Sequence, residues 1–179
     1  MTQIGTTYAQ GLYALAKEEN LTGSILEELT ALKQSFEQEP AFLQLLSAPN
    51  LPKQERTDIL DKSFRGKVQP YVLNFLKILT EKGYIRYFSD CCAAYRARYN
   101  EDHGILVVRA VSAVALSDRQ KQQLSEKLQT MTGKTVELDC KINPAVLGGI
   151  RLDYDGKQVD GTVQNRLESM AKLLKNTVL

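Results

Sequence analysis

The chain is short of most features that mark a catalyst, a metalloprotein or a membrane protein. It has one histidine, three cysteines and a formal net charge of only +2 over 179 residues. A lone histidine, His103, has no nucleophile array or metal set legible beside it, and it reads as a solvated linker residue. Three cysteines make a poor disulfide framework, and a reducing compartment is the simpler reading. Cys91 and Cys92 fall in an apparent helix, where neighbours point about 100° apart and cannot share one metal. Apolar runs such as Ile105–Val108 and Ala113–Leu116 are far short of the roughly 20 residues a membrane span needs. The N-terminus, MTQIGTTYAQ, lacks a basic n-region and an apolar h-region, so no export signal is visible. Residues 1–103 carry 12 Lys/Arg against 13 Asp/Glu, and residues 104–179 carry 11 against 8. Neither half has the basic excess of a nucleic-acid binder.

What is present is an ordinary soluble balance, 43% apolar and 25% charged, in a length that holds one domain or two small ones. The pattern divides near Gly104. Before it, helix follows helix. Thr6 or Thr7 can cap a first helix running to about Glu19. Ser24-x-x-Glu27 reads as a capping box ahead of Ile25, Leu29, Leu32 and Phe36. A short helix follows Pro40, another opens after Pro52 with Ile59, Leu60 and Phe64, and a fifth runs from about Gln69 to Lys82 with Gly83 as its stop. The sixth carries Tyr84, Phe88, Cys91, Tyr95 and Tyr99 on one stripe. This predicts an N-terminal six-helix all-α bundle over 1–103.

Beyond Gly104, GILVVRAVSAVA is rich in β-branched residues and reads as a strand. Ser117-x-x-Gln120 opens a helix to about Met131. TVELDCKI then alternates, with Val136, Leu138, Cys140 and Ile142 on one face. Asp155-Gly156 is a two-residue hairpin turn that pairs Tyr154 with Lys157 and Leu152 with Val159. Val163, Leu167, Met170, Ala171 and Leu174 form the stripe of a last helix. The expectation is an α+β chain whose residues 104–179 make a small α/β domain with a β-hairpin and a terminal helix.

The motifs that suggest chemistry weaken on inspection. TGKT at Thr132–Thr135 looks like the end of a P-loop, but Leu128 stands where that loop needs glycine, and the order is helix-loop-strand. Leu147-Gly148-Gly149-Ile150 lacks the third glycine of a dinucleotide loop and leads into a strand. Asp153, Asp155 and Asp160 match no calcium loop, and Asp160 with Arg166 is explained by a helix cap and an ion pair. Two helices stand out differently. Tyr8–Ala16 and Tyr71–Leu79 are apolar on most sides, which suits either two central helices or two helices that share a groove for a partner's amphipathic helix. Gly11, a poor helix former that permits close approach, favours the groove.

At these residues the chain resembles the delta subunits of bacterial rotary F-type ATP synthases, counterparts of the mitochondrial oligomycin-sensitivity-conferring protein. YAQGLYALAKEE from Tyr8 resembles the family's opening helix, with Gly11 where alanine is common. ILTEKGYI from Ile78 resembles the exit of helix five. LGGIRLDYDGKQVDGTVQNRLESM from Leu147 resembles the most specific signature, here Gly148, Gly149, Asp155, Gly156, Asp160, Gly161 and Arg166, with Thr162 for the usual serine. The resemblance implies a non-catalytic stator subunit without a cofactor, peripheral on the cytoplasmic face of the cell membrane and with no membrane insertion of its own. It would tie the catalytic head to the b subunits of the peripheral stalk so that the head does not turn with the proton-driven rotor. It further implies that the N-terminal helix of an alpha subunit lies between helices one and five, against Tyr8, Gly11, Leu12, Leu15, Phe75, Ile78 and Leu79. An RNA-binding helical protein of the transcription-antitermination type is the alternative, disfavoured by the −1 charge of the N-terminal half.

Overall fold

The computed structural model describes residues 2–48, 50–146, 148–163 and 165. It is a mixed α+β chain of two compact units, Met1–Tyr99 and Asn100–Leu179. In the first, α1 (Gln3–Glu18), α2 (Thr22–Gln38), α3 (Pro40–Ser47), α4 (Lys53–Phe64) and α5 (Pro70–Glu81) lead through a 3₁₀ turn (Ile85–Tyr87) into α6 (Phe88–Asp102).

The helix starts depend on local chemistry that differs from the sequence reading at two places. Helix α1 begins a turn earlier than a cap at Thr6 or Thr7 implies, because the Thr2 side chain accepts from the Gly5 N–H at 3.3 Å. Thr6 and Thr7 instead donate their hydroxyls back to the carbonyls of Thr2 and Gln3, as hydroxyl residues inside a helix commonly do. The Thr2 N–H also donates to Asp90 Oδ2 at 3.0 Å, which ties the start of α1 to α6; the Thr2 side chain first, and this N–H after it, hold the Asp90 carboxyl below the usual carboxylate range. Helix α2 starts at Thr22 without a side-chain cap. Ser24 therefore lies inside it, and the expected capping box does not form.

The core follows the stripes. Ile25, Leu29, Leu32 and Phe36 of α2 are buried, as are Val72, Leu76 and Leu79 of α5 and Phe88, Cys91 and Tyr95 of α6. Phe36 anchors one end, with Phe42, Phe64 and Phe88 at 5.6, 6.1 and 5.1 Å between ring centroids. At the other end Tyr95 stacks edge-on to Tyr13 at 5.2 Å and donates its hydroxyl to the Thr22 carbonyl. Such offset and edge-on pairs add to the area they bury. Cys91 and Cys92 are core thiols, and burial pushes them up to about 11 and about 12.

In the second unit, β1 (Ile105–Ser112), α7 (Asp118–Thr132), β2 (Thr135–Ile142), β3 (Ile150–Tyr154) and β4 (Lys157–Asp160) build a four-stranded sheet in the order β2-β1-β3-β4. The β1–β2 pair is parallel, with α7 between the two strands in sequence, and β3 runs antiparallel to β1. Ser117 and Gln120 form a complete capping box at the start of α7. TGKT is the turn from α7 into β2. Leu106, Val108 and Leu128 are the core, with Leu124, Val136, Leu138, Leu152 and Tyr154 packed on it. Two strand expectations change. β1 stops at Ser112, whose hydroxyl donates to the Val114 carbonyl at 2.7 Å, leaving Val114 exposed. β2 is an edge strand, so Cys140 is only half-buried and Ile142 is 60% exposed. The hairpin has the expected register, Tyr154 opposite Lys157 and Leu152 opposite Val159. Asp155 and Gly156 both take positive φ, 45° and 71°, which is the turn such pairs favour.

Candidate partner-binding site

Each of α1 and α5 carries two apolar stripes. On α1, Gly5, Ala9, Tyr13 and Ala16 face the core, while Tyr8, Gly11, Leu12 and Leu15 turn towards α5. On α5, Val72, Leu76 and Leu79 face the core, while Tyr71, Phe75 and Ile78 turn towards α1. Both sets recur at three- and four-residue spacing, the period of a helix face. The second stripes meet along an open apolar trough of about 280 Å³, lined also by Thr7 and Asn74.

The trough brings together six of the seven residues placed there by resemblance. Leu12 and Phe75, 5% and 6% exposed, form its floor, and Leu15 and Ile78, 36% and 37% exposed, form opposite rims. Tyr8 is half-buried on the α1 wall. Gly11 is exposed, and a Cβ there would meet no atom within 4 Å, so the chain's own packing does not require glycine at this position. Leu79 is a correction. It is fully buried, because one step of about 100° from Ile78 carries it onto the core stripe with Val72 and Leu76.

Three lining residues were missed. Tyr71 could have been found by extending the Phe75–Ile78 stripe back one turn. Thr7 and Asn74 carry no apolar signal and become visible only when the two helices are set side by side. The ends of the trough are distinct. The Tyr8 ring packs edge-on against Tyr84 at 5.9 Å, Tyr84 meets Tyr87 at 6.3 Å, and the Arg86 guanidinium lies 5.3 Å from the Tyr87 ring centroid. At the other end the Glu19 carboxylate lies near the Tyr71 hydroxyl, and its negative charge is the chief cause of the raised Tyr71 pKa.

The glycine-rich signature serves geometry. Gly149 has φ +86°, and a Cβ on it would lie 2.5 Å from the Gly161 carbonyl oxygen and 2.8 Å from Thr162 Cα. Gly161 N–H donates to the Ile150 carbonyl and Val163 N–H to the Gly148 carbonyl, both at 3.1 Å. Asp160 accepts from the Thr162 N–H at 2.9 Å; the Thr162 side chain first, and this N–H after it, hold the Asp160 carboxyl below the usual range, and the buried Thr162 hydroxyl accepts from the Asn165 N–H at 3.2 Å. Thr162 thereby occupies the N-cap role, with Asp160 bracing it. Asp155 and Gly156 are the hairpin turn. Arg166 and the stripe residues Leu167, Met170, Ala171 and Leu174 lie outside the described residues.

Elsewhere, a hollow of about 410 Å³ on the sheet is lined by charged residues including Arg109, Asp139 and Asp153. Arg109 pairs with Asp139 across β1 and β2 at 3.3 Å, and Asp153 pairs with Arg151 two residues back on β3 at 3.6 Å. Among the described residues no group of His, Cys, Asp and Glu could hold a metal ion, and no helix is long and apolar enough to cross a membrane.

Comparison with known proteins converges on one family. Residues 4–174 match the family model of the ATP synthase delta (OSCP) subunit. The ATP synthase subunit delta of Alkaliphilus oremlandii is 31% identical over 176 residues, covering 98% of both chains. That of Desulfitobacterium hafniense is 32% identical over 173 residues, 97% of both. A chain in the Toxoplasma gondii mitochondrial ATP synthase hexamer superposes with a TM-score of 0.76 at 19% identity, covering 97% of this chain and 98% of that one; at that identity the likeness concerns the fold. The RNA-binding alternative finds no support in these matches.

Proposed function

This chain belongs to the ATP synthase delta (OSCP) subunit family, and from that premise we propose that the trough between α1 and α5 grips an amphipathic helix of the catalytic head. The chain is a non-catalytic stator subunit of the F-type ATP synthase, a peripheral part of a membrane-bound complex. In the proposed arrangement the six helices of residues 1–103 form the bundle that holds the N-terminal helix of an alpha subunit. Residues 104–179 meet the b subunits of the peripheral stalk on the cytoplasmic face of the membrane. The subunit does no chemistry. An ion-driven rotor exerts torque on the head, and a stator that joins head to stalk keeps the head from following. Long-lived binding is therefore its functional property.

The observation that carries this reading is the second apolar stripe on each of two neighbouring helices. Leu15 and Ile78 stay about a third exposed above a buried floor of Leu12 and Phe75. Large apolar side chains aligned along a groove are the form in which a helix is recognised by its i, i+3, i+4 and i+7 anchors. A nanomolar grip corresponds to about 12 kcal/mol, within reach of a few well-buried anchors. Calorimetric titration of the full chain with a synthetic alpha-subunit N-terminal peptide tests it. Saturable submicromolar binding that a scrambled peptide lacks is expected, and equal weak binding of both peptides would refute the assignment.

A further inference from the structure

We propose that Asn74 and Glu19 set the register of the helix in this trough, so that its occupant must carry an amide or hydroxyl side chain within its apolar stripe and a Lys or Arg one turn away. The proposal rests on the reading that the trough takes a helix, and it adds which helix. Asn74 is exposed on the α5 wall between Tyr71, Phe75 and Ile78, and it makes no hydrogen bond to the described residues. In the free chain, water satisfies its two donors and one acceptor. An apolar helix laid over the trough removes that water, and an unmatched amide then costs about 1–3 kcal/mol. A helix that presents Asn, Gln, Ser or Thr opposite Asn74 avoids the penalty. One shifted by a turn sets an apolar side chain there and incurs it. A single polar residue in an apolar seam fixes register in this way in coiled coils.

Glu19 supplies the second point of the code. Tyr71 precedes Asn74 by three residues, about 4.5 Å along the axis, and the Glu19 carboxylate lies near its hydroxyl. That carboxylate is exposed at the C-cap of α1, where the helix dipole also favours a cation. It retains acceptor capacity for a basic side chain arriving beside the Tyr71 ring. Asn74 therefore discriminates between registers, and Glu19 discriminates between the two ends of the incoming helix.

The test is a double-mutant cycle by calorimetry on the full chain. The probes are the alpha-subunit N-terminal peptide and a set in which each polar residue of its apolar stripe is replaced in turn by Leu. Asn74→Leu should weaken the parent peptide about tenfold, and one Leu-substituted peptide should recover that affinity on Asn74→Leu alone. Glu19→Gln, which keeps the side chain's size and removes its charge, should cost about threefold at low salt and nothing at about 0.5 M salt. Far-UV circular dichroism checks that both surface variants fold. Parent affinity within twofold on Asn74→Leu, or no coupled peptide position, overturns the register proposal. If Ile78→Asp abolishes binding at the same time, the trough assignment stands without it. If the parent peptide does not bind the unmodified chain, both fall.

Discussion

Replacing Ile78 by Asp perturbs the trough at one of its two most exposed large apolar side chains. Ile78 is 37% exposed on the rim, with Leu79 beside it wholly in the core. Full burial of an isoleucine is worth about 1.5–3 kcal/mol, so covering the part still exposed contributes only about 0.5–1 kcal/mol to binding. The larger effect is the carboxylate. Asp at this position would be desolvated by an apolar helix without a partner, and an unpaired charge costs several kcal/mol or excludes the ligand. Together these come to at least about 3 kcal/mol, a loss in affinity of a hundredfold or more. The cost to folding comes to about 2–3 kcal/mol: the apolar burial already made by the covered two thirds of Ile78 is lost, about 1–2 kcal/mol, and Asp adds poor helix propensity and a charge of the wrong sign in the last turns of α5, about 1 kcal/mol. The melting temperature should fall by several degrees while the helical spectrum is kept. Calorimetry with the alpha-subunit peptide reads the affinity, with Ile78→Ala as a control expected to lose only about threefold to fivefold. A folded Ile78→Asp chain whose affinity stays within threefold of the parent refutes the reasoning, because it leaves Ile78 outside the interface.

Other substitutions separate fold from function. Gly11→Ala should raise stability by about 0.5–1 kcal/mol, since the added methyl meets nothing in the free chain and alanine is the better helix former; Gly11→Leu should keep the fold and weaken peptide binding at least tenfold by filling the trough. Gly149→Ala should destabilise the second unit by about 2 kcal/mol or more, because its methyl meets the Gly161 carbonyl at 2.5 Å from a left-handed backbone, and limited proteolysis within residues 104–179 should accelerate. At pH 8 a thiol reagent should modify Cys140 first. Cys91 and Cys92 are buried with pKa values pushed to about 11 and about 12, so they should react only at the rate of unfolding.

The sequence disclosed most of the helices because burial imposes a 3.6-residue period, and Ile25, Leu29, Leu32 and Phe36 keep that period without interruption. The hairpin was equally legible, since Asp155-Gly156 fixes both the turn and the register. Helix starts were less so. The cap of α1 is Thr2, whose role depends partly on Asp90, far away in the chain, and no local pattern contains that contact. Ile142 follows strand alternation yet is exposed, because period alone does not say that β2 lies at the edge of the sheet. The trough shows the same limit. Tyr8, Leu12, Leu15, Phe75 and Ile78 were readable as surplus apolar side chains, but their alignment is a tertiary fact. Asn74 and Glu19 carry meaning only once that alignment exists. Leu79 was misplaced for a related reason: on a helix apolar on most sides, adjacent residues look alike in sequence and differ by about 100° in space.

The central claim is that a foreign helix lies between α1 and α5. The most direct measurement is the amide shift map of isotopically labelled chain titrated with the alpha-subunit N-terminal peptide. Saturating shifts should concentrate on Thr7, Tyr8, Gly11, Leu12 and Leu15 and on Tyr71, Asn74, Phe75 and Ile78, while the backbone of Leu29 and Leu32 in α2 barely moves. Shifts centred on α2–α4 or on the sheet of residues 104–179, with the α1 and α5 amides unchanged at saturation, would contradict it.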